Sequence, residues 1–109
     1  MPMTVVVTRD VPDRMRGFLA SCMLEIAPGV YTQPRMSTGV RARVWSVLED
    51  WHTELRQGAV VMTWPDADEP CGQAIRTLGV PPRRLVEIDG LVVAARGPAG
   101  EQLPEDSEG

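Results

Sequence analysis

The sequence predicts an α+β fold in which two helices cover one face of a mostly antiparallel sheet. Two long segments repeat apolar residues at helical spacing, whereas shorter apolar segments elsewhere are rich in β-branched residues. These elements follow one another as strand, helix, short extended segment, helix, strand, strand and a final hairpin. Such an order is typical of a ferredoxin-like two-layer sandwich.

The first strand and the helix after it form the most informative part of the chain. Apolar and β-branched residues predict a strand over residues 3–8, and helical spacing predicts a helix that ends near Leu24. Between them lie Arg9 and Asp10. Asp10 has two interpretations: it caps the helix, with Pro12 in the first turn, or it is a catalytic acid that binds a metal ion. Capping is the commoner role of an acid in this position.

The second helix has the clearest period in the sequence. Its predicted range is about 37–56, and one face carries the apolar residues Val40, Val44, Val47, Leu48, Trp51 and Leu55. Strands are predicted over residues 59–64, 72–78, 85–88 and 91–95, with Asp89-Gly90 as the turn between the last two. His52 is the only histidine, and its place on the polar side of the helix indicates a solvated residue.

Length and composition indicate one domain followed by an acidic tail. The chain has 109 residues, of which 43% are hydrophobic, so residues 1–96 can form one small core. Residues 97–109 contain acidic residues and no basic residue, and we expect them to be disordered. No apolar run is long enough to cross a bilayer, and Cys22 and Cys71 lack metal-ligand spacing. We therefore expect a cytoplasmic protein with reduced cysteines.

The distribution of charge favours an anionic partner, although the net charge is −4. The acidic tail accounts for this negative charge, because acidic and basic residues are equal in number over residues 1–96. Every basic residue is an arginine, and the first 43 residues hold six arginines against three acidic residues. Arginine forms bidentate contacts with phosphate groups, although a genome-wide codon bias also explains this usage.

Four blocks of the sequence resemble one protein family. They read M-x-V-V-V-T-x-D-V-P-x-R-x-R-G, L-E-I-A-P-G-V-Y, A-V-V-M-T-W and P-P-R-R-L-V-E-I-D-G-L. In this order, and over about residues 1–96, they resemble the CRISPR-associated Cas-two proteins of the type I-E subtype. The resemblance implies a ferredoxin-like homodimer that takes part in spacer acquisition, an antiviral defence. There the dimer lies between dimers of the Cas-one integrase and holds a double-stranded DNA before its insertion into the CRISPR array.

The resemblance also implies roles for particular residues. By this resemblance, Arg14 and Arg16 at the start of the first helix contact the duplex backbone. Arg83 and Arg84, in the turn before the final hairpin, do the same. The last strand is expected to bind the integrase through Leu91, Val92, Val93, Ala94, Ala95 and Arg96. Many relatives have an acid at the end of the first strand, proposed to bind magnesium for phosphodiester cleavage. Asp10 is the candidate here, although the position that is acidic in those relatives can also correspond to Arg9.

Two activities therefore remain open, and their physical requirements differ. Holding a duplex needs sequence-blind phosphate contacts, and its affinity falls steeply with salt. Hydrolysis needs carboxylates that hold Mg²⁺, which activates water. With one Asp10 per chain, we prefer the structural DNA-binding role and keep a magnesium-dependent endonuclease, cutting DNA or RNA, as the alternative. An interaction-only protein or a toxin-like RNase of the same fold also stays possible.

Overall fold

The computed structural model describes residues 2–95, which form two helices and seven strands. The strands are β1 (Thr4–Arg9), β2 (Leu24–Ala27), β3 (Val30–Gln33), β4 (Ala59–Pro65), β5 (Gln73–Leu78), β6 (Arg84–Ile88) and β7 (Leu91–Ala95). The helices are α1 (Asp13–Cys22) and α2 (Thr38–Leu55), and a 3-10 turn spans Pro70–Gly72. Arg96 and the predicted tail over residues 97–109 lie outside the described residues. Neither α1 nor α2 has the length and apolar character that a membrane span requires.

Five strands form one antiparallel sheet in the order β2-β3-β1-β4-β5. The central strand β1 pairs with β3 on one side and with β4 on the other, so Val6 lies beside both Tyr31 and Met62. The last two strands form a separate hairpin, β6-β7. The predicted α+β fold is confirmed: β2, β3, β1 and β4 have the order of a ferredoxin-like sandwich, and β5 adds one strand at its edge.

The hydrophobic core lies between one face of the sheet and the two helices. Because side chains alternate along a strand, every second residue of β1 and β4 points toward the helices. The fully buried members of this core are Val6, Met15, Leu19, Tyr31, Leu48, Val60 and Met62. The layer of helices therefore covers one face only.

Neither of the described helices lies over the opposite face of the sheet, which carries a patch of apolar side chains. We call this surface the open sheet face and define it by Val5, Val7, Val61 and Ile75, which alternate with the core residues. Val7, on the central strand, remains 43% exposed. The hairpin lies beside this face, and a cavity of about 940 Å³ separates them.

Helix α2 lies where the sequence predicts it, but its buried stripe is different. Ser37 is its N-cap, since the hydroxyl oxygen accepts a hydrogen bond from the Val40 N–H at 3.2 Å. Val40 itself is 46% exposed, whereas Arg41 is only 6% exposed. The Arg41 guanidinium lies 4.2 Å from the centroid of the Trp64 ring and donates to the Met36 carbonyl oxygen. These contacts compensate for burial, which lowers the pKa of Arg41.

The end of the first helix was predicted too late in the chain. Helix α1 ends at Cys22, and residues that the sequence assigns to its last turn form the edge strand β2. Met23 already has an extended backbone, and Leu24 pairs with Thr32 of β3. Apolar residues in this stretch fit either period, because four residues are too few to distinguish a strand from a helix end.

Three segments meet closely at the end of the sheet where β1 finishes. The Gln57 side-chain amide donates to the carbonyl oxygen of Asp10 at 3.0 Å. His52 is half-buried, with its Nε2 atom 3.2 Å from the Gly58 carbonyl oxygen, so the prediction of a solvated histidine was wrong. Gly58 has a φ of +83°, and a Cβ atom on it would lie 2.5 Å from the Asp10 carbonyl oxygen. Only glycine fits there.

Two glycine substitutions are therefore expected to change stability in opposite directions. Gly58→Ala forces a side chain against the backbone in the left-handed region, and we expect it to lower the free energy of unfolding by about 3 kcal/mol. Gly17→Ala, on α1, meets no atom within 4 Å and should raise the free energy of unfolding by about 0.5–1 kcal/mol. Urea unfolding followed by circular dichroism measures both. Equal stability of the two variants would contradict the close approach of Gly58 to the Asp10 backbone.

Candidate nucleic-acid interface

Helix α1 begins directly after the corner that Arg9 and Asp10 form. Pro12 is the N-cap residue and no side chain caps the helix, so the prediction that Asp10 is the N-cap was wrong. Asp10 instead has a left-handed backbone with a φ of +58°, which aspartate tolerates better than most residues. Its side chain is exposed. Because Met15 and Leu19 fix the buried side of α1, the arginines of the first turns remain on its surface.

Arg14 lies on the side of α1 that faces α2. Its guanidinium carbon is over the Trp51 ring, 5.7 Å from the ring centroid. Phe18, one turn further along α1, meets the same ring edge-to-face, with 5.3 Å between centroids and 83° between planes. No carboxylate among residues 2–95 lies within 4 Å of the Arg14 guanidinium. Arg14 is therefore a positive charge held by aromatic contacts rather than neutralised by an ion pair.

Arg16 lies on another side of α1 and has acidic neighbours. Its Nη1 atom is 3.5 Å from the Asp13 carboxylate, but the Asp13 side chain is 99% exposed, so solvent screens this ion pair. Burial raises the pKa of the Tyr31 hydroxyl; the Glu25 carboxylate raises it further and Arg16 lowers it. The Asp13 carboxylate thus offsets part of the Arg16 charge. Its side chain is still 54% exposed and can reach a phosphate group.

The two arginines of the late turn occupy different environments. Arg83 is exposed and lines the cavity beside the open sheet face together with Arg9. Arg84 is the first residue of β6 and is half-buried, and its Nε atom is buried without a hydrogen-bond partner among the described residues. Within one chain, Arg83 therefore lies near Arg9, whereas Arg14 and Arg16 lie on the layer of helices across the sheet. The four predicted DNA contacts do not form one patch in a single protomer.

The Asp10 carboxylate, predicted as a metal ligand, belongs to no larger ligand cluster within the described part of the chain. Among residues 2–95, no three histidine, cysteine, aspartate or glutamate side chains are close enough together to hold a metal ion. Asp10 offers one exposed carboxylate, and its backbone carbonyl is used by Gln57. Mg²⁺ is usually held by one or two carboxylates and several waters, so Asp10 of one chain offers at most part of such a site.

The predicted integrase contacts lie on the outer strand of the hairpin. Leu91, Val92 and Val93 are 69%, 53% and 40% exposed, and Ala94 faces the cavity. Strand β7 pairs only with β6 among the described strands, so its other edge offers free backbone groups. An exposed apolar strand with a free edge is typical of a surface that binds another protein chain.

Sequence reasoning missed the aromatic residues that hold the arginines. Trp51 was predicted as a core residue and Arg14 as a surface residue, yet they are in contact. Trp64 lies between two guanidiniums, with Arg41 at 4.2 Å and Arg76 at 5.2 Å from its centroid. The available signal was composition: three tryptophans occur in a chain whose basic residues are all arginine. Composition alone does not indicate which arginine contacts which tryptophan.

Comparison with known families identifies the family of this chain. A family model described as CRISPR-associated protein (Cas_Cas2CT1978) matches residues 3–93. The matched region includes β1, both helices, the whole five-stranded sheet and most of the final hairpin. Since it spans most of the chain, the chain belongs to this CRISPR-associated family and is a protein of the Cas-two type.

Proposed function

We propose that this protein acts in CRISPR spacer acquisition as a homodimeric scaffold that binds double-stranded DNA and bridges dimers of the Cas-one integrase. The sequence blocks that resemble type I-E members support assignment to that subtype. The scaffold role is supported by one combination of features: the open sheet face is apolar, and the arginines of α1 are exposed. The first feature favours a dimer, and the second favours contact with a phosphate backbone.

The open sheet face supports pairing with a second copy. A sheet that buries one face under helices still exposes apolar side chains on the other, and such a surface is usually covered by a partner. A two-fold axis through this face would cover it with the same face of a second chain, which is the commonest form of oligomer. The arginines of α1 would then occur twice in the dimer, once in each protomer.

The chemistry of the arginines supports sequence-blind binding. Arg14, Arg16 and Arg83 are exposed, and each can donate to phosphate oxygens without contact with a base edge. A scaffold that holds foreign DNA needs this property, because the duplexes it receives differ in sequence. Two-fold repetition would also bring arginines that are apart in one chain onto one duplex. Affinity would then depend on the number of phosphates contacted rather than on their sequence.

The final hairpin supports the integrase contact. Residues 91–95 expose apolar side chains on a strand with a free edge, so an integrase segment can pack on the side chains or add a strand. This surface is separate from α1. One protomer can therefore hold the duplex and the integrase at the same time, as a bridge between integrase dimers requires.

The endonuclease alternative depends on Asp10 from two chains. In this alternative a shared Mg²⁺ would take one Asp10 carboxylate from each protomer and complete its coordination with water. The left-handed corner does project Asp10 into solvent, and this observation keeps the alternative testable. We place the duplex-holding role first because each exposed arginine can bind a phosphate singly, whereas the alternative requires the Asp10 carboxylates of two chains to meet at one ion.

Spacer acquisition in cells that carry the integrase separates the two activities. We expect Asp10→Asn, which removes the charge and keeps a residue that tolerates the left-handed corner, to leave acquisition within about twofold of the unmodified level. The double variant Arg14→Ala/Arg16→Ala should reduce acquisition to background, because it removes phosphate contacts from both protomers. Sequencing of new spacers measures both. The reverse pattern would favour the endonuclease and contradict the scaffold.

A further inference from the structure

The aromatic residues Phe18 and Trp51 pack against the core, and Trp51 also contacts the Arg14 guanidinium. Trp51 is half-buried on α2 and has the Arg14 guanidinium over its ring at 5.7 Å. Phe18 fixes the orientation of that ring through an edge-to-face contact at 5.3 Å. Arg14 and Phe18 are four residues apart on α1 and thus share one helix face. One tryptophan from the second helix therefore holds an arginine of the first.

Such a stack has a consequence for phosphate binding. A free arginine side chain loses rotamer entropy when a phosphate fixes it, at a cost of up to about 2 kcal/mol. A guanidinium already held over a ring has lost part of this freedom before the phosphate arrives. A cation–π contact uses no hydrogen-bond donor of the guanidinium, so its N–H groups remain able to donate to phosphate oxygens. No carboxylate among residues 2–95 competes for them within 4 Å.

We infer that Trp51 is a positioning residue that holds the Arg14 guanidinium in readiness for a backbone phosphate of the DNA duplex. This inference rests on the proposed function and adds a residue to it. Arg16 has no aromatic neighbour of this kind among the described residues, and its ion pair is with Asp13. The two arginines of α1 are thus unequal: Arg14 is held over an aromatic ring, while Arg16 has only a solvent-screened ion pair.

A double-mutant cycle on duplex affinity tests this role in the full-length protein. We expect Trp51→Leu to weaken binding of a blunt DNA duplex by about five- to tenfold, because both protomers lose a stack. In the Arg14→Ala background the same change should weaken binding by less than about twofold. Trp51→Phe retains an aromatic face and should restore most of the affinity. Trp45→Leu is the matched control, since Trp45 is also half-buried on α2 and has no guanidinium over it among residues 2–95.

A measurement without DNA separates positioning from general destabilisation. Side-chain protons of Arg14 over the indole face should appear upfield of their usual NMR positions. Trp51→Leu should remove this shift and Trp45→Leu should not. An equal loss of affinity from Trp51→Leu with and without Arg14, or no loss at all, would overturn the inference and leave the proposed function intact. Unchanged affinity in Arg14→Ala would overturn the inference and also remove Arg14 from the proposed interface. If Trp51→Leu does not fold, Trp51→Met, which fills more of the space without an aromatic face, is compared with and without Arg14 in the same way.

Discussion

Replacing Arg14 and Arg16 together with alanine is expected to weaken duplex binding by at least about 100-fold at physiological salt. Each dimer would lose four guanidiniums, and each has a backbone phosphate as its proposed partner. Both side chains are exposed, so the double variant should keep the free energy of unfolding within about 1 kcal/mol of the unmodified protein. Fluorescence anisotropy of a labelled duplex measures the affinity. The loss should be the same for duplexes of unrelated sequence.

A matched variant separates these contacts from a general effect of charge. Arg35→Ala/Arg43→Ala removes the same charge from two other exposed arginines. Arg35 precedes α2, whose opposite end meets the Asp10 corner through Gln57, about 27 Å of helix away. We expect the control to weaken binding by less than about fivefold, through long-range attraction alone. Equal losses in the two double variants would show that binding follows net charge and not the α1 arginines.

Val7→Glu is expected to convert the dimer into a monomer. Val7 lies at the centre of the open sheet face and is 43% exposed in one chain, so a single protomer tolerates a charge there. In the proposed dimer the two-fold axis would bring two carboxylates into an apolar interface, at a cost of several kcal/mol per ion. Multi-angle light scattering measures the molar mass. Duplex affinity should fall as well, since each protomer carries half of the contacts.

Val40→Glu is the control for this substitution. Val40 is exposed to a similar degree, 46%, but lies on α2 and not on the sheet. The control should remain a dimer and bind the duplex like the unmodified protein. A Val7→Glu variant that stays dimeric would move the interface elsewhere, and the exposed hairpin residues 91–93 would then be the next surface to test.

The sequence predicted the elements with strong periods and missed those that depend on tertiary contacts. Strand β1, helix α2 and the final hairpin follow from β-branched content, an apolar stripe and an Asp-Gly turn, all of which are local signals. Strand β2 was missed because it is four residues long and continues the apolar spacing of α1. Arg41 was not part of the predicted buried stripe, because periodicity does not foresee that Trp64, 23 residues away, stabilises a buried guanidinium.

The candidate site was predicted in part, for the same physical reason. The exposure of Arg14 and Arg16 follows from the apolar side of α1, and the structure agrees. Asp10 was predicted as an N-cap from residue type alone, but the backbone turns left-handed there and Pro12 takes the cap position. The stack of Arg14 on Trp51 joins residues on two different helices. Only the packing of α1 against α2 defines it, so no motif in the sequence could reveal it.

The salt dependence of duplex affinity tests the central claim most directly. The unmodified protein would be titrated with two duplexes of equal length and unrelated sequence at several salt concentrations. A scaffold that contacts backbone phosphates predicts equal affinity for both duplexes and a linear fall of log K with log salt, with a slope of about −4 or steeper. A slope near zero, or a strong preference for one of the two sequences, would contradict a sequence-blind scaffold built on the arginines of α1.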